Sequence, residues 1–315
     1  MSRKVNSLDM AGKKRLSDEE LSKKLGHYQK ISSVLPLVGV IGAVSGIVAF
    51  FVVRDAALKA ILTAVLFFGG VFCAVYSDGG VKKKLNALMQ EHLGGFFRAE
   101  FERAFGPDLR TPELCIDGQL MEALHLSDGQ WEECVTENLH EGVYRGARFS
   151  AANVRLDHVY TKGAPHEGFE TCRRAVFKGL AVRCETCAAS PSPIRINAQA
   201  EDGPHDSAAV SGEFDRRFRV TAEREADARS FLTPQCMDLL TKLDRSAAGR
   251  LSALCREGNV LSLVFETDFV FAAVADGTDL RNLDEVKKSY IDSLHAMEAL
   301  LDLLRESPAL TGAAE

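Results

Sequence analysis

Two apolar stretches standing almost end to end, Ile31 to Val53 and Ala56 to Tyr76, constrain this chain more than any other feature. A helix rises roughly 1.5 Å per residue and the hydrocarbon core of a bilayer is about 30 Å thick, so about 20 apolar residues suffice to cross it. Both stretches reach that length. Only Arg54-Asp55 separates them, and a turn that short predicts an antiparallel transmembrane hairpin. Arg54 and Lys59 can snorkel to the headgroups, which avoids the cost of about 3 kcal/mol for a charge at mid-bilayer. A buried core helix and a secretory leader are the alternatives. A leader has a short basic start and one apolar run, whereas here a long polar arm comes first and a second apolar run follows at once.

Basic residues set the expected orientation. Arg3, Lys4, Lys13, Lys14, Arg15, Lys23, Lys24 and Lys30 precede the first span, and Lys82-Lys83-Lys84 follow the second. By the excess of cations on cytoplasmic flanks, both ends are expected in the cytoplasm. Gly42 and Gly46 stand one helical turn apart in the first span, spacing that lets another helix approach closely. A homo-oligomer through Gly42 and Gly46 is one expectation, and small residues that are merely common in spans is the other.

Outside residues 31–76 the chain mixes charged and apolar residues as a globular domain does. The hydrophobic content of 46% over 315 residues leaves enough for a core of its own. A net charge of -6, with neither sign dominating any long stretch, excludes a nucleic-acid partner. Eight irregularly spaced cysteines suit reduced thiols better than a disulfide framework.

The expected organisation is a polar arm over 1–30, the hairpin over 31–76 (31–53 and 56–76), a helical connector over 81–126 and a cytoplasmic α+β domain over 127–315. Ser17-Asp-Glu-Glu20 reads as a capping box opening a short helix before the membrane. Ser77-Asp-Gly-Gly80 breaks the pattern, and Leu85 to Phe105 then shows helical spacing with a stripe suited to core packing. A second helix is expected from Pro112 to Leu126. Strands are expected at Val143–Phe149, Asn153–Tyr160, Arg173–Cys184, Ile194–Asn197 and Phe214–Thr221, with Ser190-Pro-Ser-Pro193 as a loop. Thr233-Pro234 reads as a helix start, Val260–Phe265 and Phe269–Ala275 as a hairpin around Glu266-Thr-Asp268, and Leu283–Arg305 as a closing helix. Short connections predict a mainly antiparallel sheet with flanking helices.

The sharpest chemical candidate is Cys184-Glu-Thr-Cys187, with Cys172, His158 and His166 upstream. Thiolates two residues apart can hold an edge of a tetrahedral zinc site or form a redox pair. A structural zinc site wants a second close pair and a redox pair wants a helix N-terminus, and neither is present. Ordinary thiols are the simpler reading. No nucleophile elbow, phosphate loop, dinucleotide fingerprint or H-E-x-x-H motif occurs, so no catalytic or cofactor-binding residue and no cofactor is expected.

Val176-Phe-Lys-Gly-Leu180, Phe214-Asp-Arg-Arg-Phe218-Arg-Val220, Asp227-Ala-Arg-Ser-Phe-Leu-Thr-Pro234 and the apolar runs of Leu261 to Ala275 follow one another behind two spans. This series resembles the bacterial membrane-protein family of domain of unknown function 3137, over roughly Leu126 to Leu283, and Glu141-Gly-Val-Tyr-Arg-Gly146 fits its opening. Cys184 to Gly212 is richer in Cys, Ala and Ser than the family pattern. The resemblance implies a bacterial inner-membrane location and supplies no catalytic residues. Its motifs read physically as a close backbone approach at Gly179, ring packing of Phe214 on Phe218 and a helix start at Thr233. The chain is therefore expected to be a non-enzymatic interaction module that meets the lipid bilayer through 31–76 and recruits a protein partner. The alternative is a membrane-tethered metal or redox protein using Cys184 and Cys187.

Overall fold

A computed structural model describes residues 16–109, 111–126, 130–162, 170–199 and 214–306. The protein is α+β and divides into two compact units. One holds the described chain up to Arg98 together with Gly277–Lys288, and the other holds Ala99–Asp276 together with the chain from Ser289.

In the first unit, α1 (Asp18–Val52) opens on the expected capping box: the Glu20 amide donates to Ser17 Oγ and the Ser17 amide to the Glu20 carboxylate, each at 3.2 Å. The helix does not stop before the apolar stretch but runs on through Pro36. After Val53–Asp55, α2 (Ala56–Tyr76) returns alongside α1, and Asp55 accepts the Leu58 amide at 2.8 Å. The glycines fix how closely the two helices approach. A Cβ on Gly46 would lie 2.8 Å from the Phe67 nitrogen, and one on Gly70 would lie 2.4 Å from the Gly39 carbonyl oxygen. The small face of α1 is thus taken up by the chain's own second helix. Both helices are long and apolar enough to cross a membrane.

The expected break at Ser77–Gly80 is absent. One π turn, Ser77–Val81, carries α2 straight into α3 (Lys82–Phe105), and Ser77 Oγ donates to the Ser32 carbonyl at 3.1 Å. The extra residue of a π turn accommodates the glycine pair without ending the helix. Residues 277–282 are clasped to α1: Gln29 Nε2 donates to the Thr278 carbonyl (2.7 Å), the Leu280 amide donates to Gln29 Oε1 (3.0 Å), and Ser22 Oγ donates to the Arg281 carbonyl. Leu21, Leu25, Val81, Leu85, Leu93 and Leu280 are buried here.

The second unit is built on a five-stranded antiparallel sheet of β1 (Glu133–Tyr144), β2 (Ala147–Lys162), β3 (Glu170–Ala198), β4 (Phe218–Ala222) and β5 (Arg250–Glu266). β3 is its hub. It pairs with β2 from Lys162↔Glu170 to Phe149↔Cys184, with β5 from Gly179↔Glu266 to Asn197↔Ala253, and with β4 from Ile194↔Ala222 to Ala198↔Phe218. One face carries Ala152, Val154, Leu156, Phe177, Ala181 and Val264 against Ile116, Met121, Leu124 and Leu126. That covering segment contains a 3₁₀ turn (Pro112–Leu114) and α4 (Gly118–Ala123) in place of the single helix expected to Leu126, because Asp117 caps α4 by accepting the Leu120 amide at 3.0 Å.

Short helices α5 (Phe214–Arg217) and α6 (Glu225–Phe231) precede α7 (Pro234–Asp244), which starts as expected with Thr233 Oγ1 accepting the Cys236 amide at 3.2 Å. The closing helix α8 spans Leu283–Arg305, as the periodicity predicts. Tyr290, Leu294, Met297, Leu301 and Leu304 are its buried stripe in this unit.

Five strand expectations are corrected. Val143–Phe149 is not one strand but a hairpin turn, with Arg145 (φ 47°) and Gly146 (φ 87°) both left-handed, as a two-residue type I′ turn requires. Arg173–Cys184 and Ile194–Asn197 are parts of one strand, and the Ser-Pro run falls where β3 and β5 lose register, which is where a strand tolerates proline. Phe214–Thr221 begins with a helical turn that brings the Phe214 and Phe218 rings to 5.1 Å. Phe269–Ala275 is not a strand. Asn153 replaces a ladder there, donating to the Phe271 carbonyl (3.1 Å) and accepting the Phe271 amide (2.9 Å), and Ala272 takes φ 49°.

Candidate functional site

Among the described residues, the fold sets Cys184 far from Cys172 and His158, which lie near each other at the other end of β3 and β2. Cys172 pairs with Tyr160 and Cys184 with Phe149 on the same strand. Twelve residues of strand at about 3.3 Å each separate them by roughly 40 Å. His158 Nδ1 lies 3.0 Å from Glu132 Oε2, and its ring stacks on Tyr160 at 5.8 Å. His166 and the side chain of Cys187 lie outside the described residues. Burial pushes the Cys184 thiol up to about 12, and the buried Cys236 thiol likewise to about 12. Among the described residues, no cluster of three or more His, Cys, Asp or Glu has the arrangement of a metal site.

What the fold does gather is a polar network on the β1–β2 hairpin. Its centre is Glu141, only 2% exposed. The Glu141 carboxylate accepts from the Thr111 amide and hydroxyl and from Arg148, whose Nη2 lies at 2.8 Å. Arg148 also bridges to Glu185 at 3.0 Å. Asp108 completes the network, accepting the Glu141 amide at 3.0 Å and meeting His140 Nδ1 at 3.2 Å. Burial alone would raise the Glu141 carboxyl; the bonds from Arg148 and Thr111 outweigh it and hold the group below the usual carboxylate range.

An ionised carboxylate with every oxygen engaged is a fixed anion and no proton donor near neutral pH. Its effect is to tie the segment around Asp108–Thr111 to the hairpin. Beside it, Phe105 packs edge-on to Phe149 (5.0 Å) and Phe101 lies 4.7 Å from His140. Gly142 makes room, since a Cβ there would lie 2.6 Å from Phe105 Cβ. A cavity next to the network, lined by Tyr144, Cys184, Leu261, Leu301 and Leu304, measures about 30 Å³. That holds a water or two, against roughly 300 Å³ or more for a small-molecule site.

The sheet's exposed surface is more distinctive. β5 reaches only Gly179 and β1 only Asp157, so beyond them β2 and β3 continue as a two-stranded ribbon of 158–162 paired with 170–174. Tyr160 is 42% exposed on it, and Arg173 bridges to Glu133. A ribbon of two strands is marginal by itself.

These elements carry the motifs expected of one family: Gly179, where a Cβ would fall 1.9 Å from the Phe265 carbonyl oxygen, the Phe214–Phe218 ring pair, and the Thr233 cap. Residues 175–306 match the family model for protein of unknown function, DUF3137. The DUF3137 match thus starts later than the resemblance from Leu126 and runs on through α8. No curated protein matches the chain. Among solved structures, the chain is similar to the crystal structure of the mycobacterial trehalose monomycolate transport factor A, TtfA. That likeness has 10% identity over 55% of this chain and 75% of that chain, with a TM-score of 0.26, and carries no argument.

Proposed function

We propose that the chain is a membrane-anchored, non-enzymatic binding module. In this reading α1 and α2 form a transmembrane hairpin, both flanks lie on the cytoplasmic side, and the DUF3137-bearing unit engages a protein partner there. The observation that carries the reading is where the apolar side chains point. In the hairpin Leu37 is 61% exposed, Phe51 79% and Phe68 69%, whereas among the described residues beyond the hairpin the exposed large hydrophobics are Leu109, Val143 and Tyr160. An apolar surface of that extent needs a cover, and the hydrocarbon of a bilayer supplies it. The cytoplasmic placement rests on Lys82-Lys83-Lys84 and the basic arm. The binding role rests on a second unit whose buried titratable groups hold the fold together.

Two measurements test this. Full-length protein should stay in the membrane pellet through alkaline extraction and leave it only with detergent, while a version lacking 31–76 should be released. In-cell cross-linking with mass spectrometry should then capture one partner with the intact chain and lose it without the hairpin. Release of the intact chain by alkali sinks the anchor. Capture of nothing specific by either version sinks the binding role.

A further inference from the structure

Outside the apolar stretches, residues of α1 and α3 together line a groove of about 740 Å³. Its lining includes half-buried Leu16, Tyr28 and Leu88 and exposed Lys23, Lys24, His27 and Lys84. We propose that this groove binds the phosphate headgroup of an anionic lipid. The proposal deepens the membrane-anchored reading above and rests on it for the groove's position.

Three observations lead to it. The first is depth. Lys24 comes seven residues before Ile31 and Lys84 eight after Tyr76, which at about 1.5 Å per residue places both roughly 10 to 12 Å outside the apolar stretches. The headgroup layer extends about 5 to 8 Å beyond the hydrocarbon, within reach of a lysine stem lying along the helix.

The second is how Lys84 is held. Its ammonium donates to the Tyr76 hydroxyl at 3.2 Å and sits 5.8 Å from the centre of that ring. The lysine is drawn back toward the membrane end of the helix by a tyrosine placed where interfacial aromatics belong.

The third is the gradient of charge along the groove. Its carboxylates are Glu20 and Glu91, and both lie farther from the apolar stretches than the lysines do. Glu20 is turned to the Ser17 amide. A phosphate attached to acyl chains enters at the cationic end, with its tails continuing along the hairpin. A soluble polyanion approaching from the far end meets the carboxylates first. That asymmetry favours a lipid headgroup over free phosphate.

The test uses purified full-length protein in neutral-detergent micelles, titrated with dihexanoyl phosphatidylglycerol, dihexanoyl phosphatidylcholine and inorganic phosphate. Saturable binding of the anionic lipid is expected, at least about tenfold tighter than either comparator. Each lysine near a phosphate contributes roughly fivefold, so Lys23→Gln, Lys24→Gln and Lys84→Gln together should weaken binding by on the order of 100-fold. Arg173→Gln with Arg174→Gln should leave it unchanged. All three lysines are exposed, so the triple variant should keep the wild-type melting temperature. Equal binding of phosphatidylcholine, equally tight binding of free phosphate, or undiminished binding by the triple variant would each overturn the proposal. Alkaline release of the chain from membranes, with lysine-dependent lipid binding retained in micelles, would instead remove the anchor and leave the site.

Discussion

Glu141→Gln is the most informative single change in the second unit. The native carboxylate is 2% exposed and takes hydrogen bonds from Thr111 and Arg148. Glutamine keeps the shape and removes the charge. Breaking a fully buried ion pair costs about 3 to 5 kcal/mol, but Arg148 is 29% exposed and retains Glu185, so we expect about 2 kcal/mol. For a unit of this size that corresponds to a fall of roughly 4 to 8 °C in melting temperature. Trp131, the one tryptophan of the chain, lies in this unit and reports its unfolding by fluorescence. The pH dependence follows from linkage. Glu141 is held below the ordinary carboxylate range when folded, so its contribution is fully present above the unfolded carboxylate pKa and is lost as pH falls through the depressed folded value. The gap between wild type and Glu141→Gln should therefore be constant from neutral pH down to the carboxylate range and close below it. A variant as stable as wild type at pH 7, or a gap that widens in acid, would refute the reasoning.

Gly179→Ala should destabilise by more than the usual 1 to 3 kcal/mol of overpacking, because its Cβ would meet the Phe265 carbonyl at 1.9 Å; urea unfolding measures it, and a loss under 1 kcal/mol would contradict the close approach. Native Cys184 should resist maleimide at neutral pH, since raising the thiol from 9 to about 12 lowers its thiolate fraction by about 1000-fold. Labelling of Cys184 as fast as unfolded controls would show that the site opens. Gly70→Leu should separate α1 from α2, because even a Cβ at that position lies 2.4 Å from the Gly39 carbonyl oxygen; a cysteine pair placed across the two helices should then lose its oxidative cross-link, and unchanged cross-linking would count against the packing.

Elements with strong periodicity were legible. The stripe of α8, the Thr233 cap and the two apolar helices come from residue spacing alone, and the structure keeps their bounds or extends them. Some misses came from local chemistry, such as the Asp117 cap and the left-handed Arg145-Gly146 turn, and others arose where a tertiary partner replaced the local signal. Arg145-Gly146 turns a hairpin although arginine rarely takes a left-handed φ, and Asn153, more than a hundred residues upstream, holds Phe271 out of a strand. The Glu141 network was hidden for the same reason, since its members come from a loop, both strands of a hairpin and β3. Lys23, Lys24 and Lys84 were visible only as orientation signals, because nothing in the sequence says that α1 and α3 together line a groove.

The clasp on α1 has a consequence for how the protein is made. Gln29 closes on the Thr278 carbonyl, 249 residues later. At about 5 to 20 residues per second, the ribosome delivers that partner roughly 12 to 50 s after Gln29 itself. The contacts that hold this part of α1 therefore form long after the helix itself has been made, and a product truncated before Thr278 would leave Gln29 and Ser22 without the backbone groups that hold them.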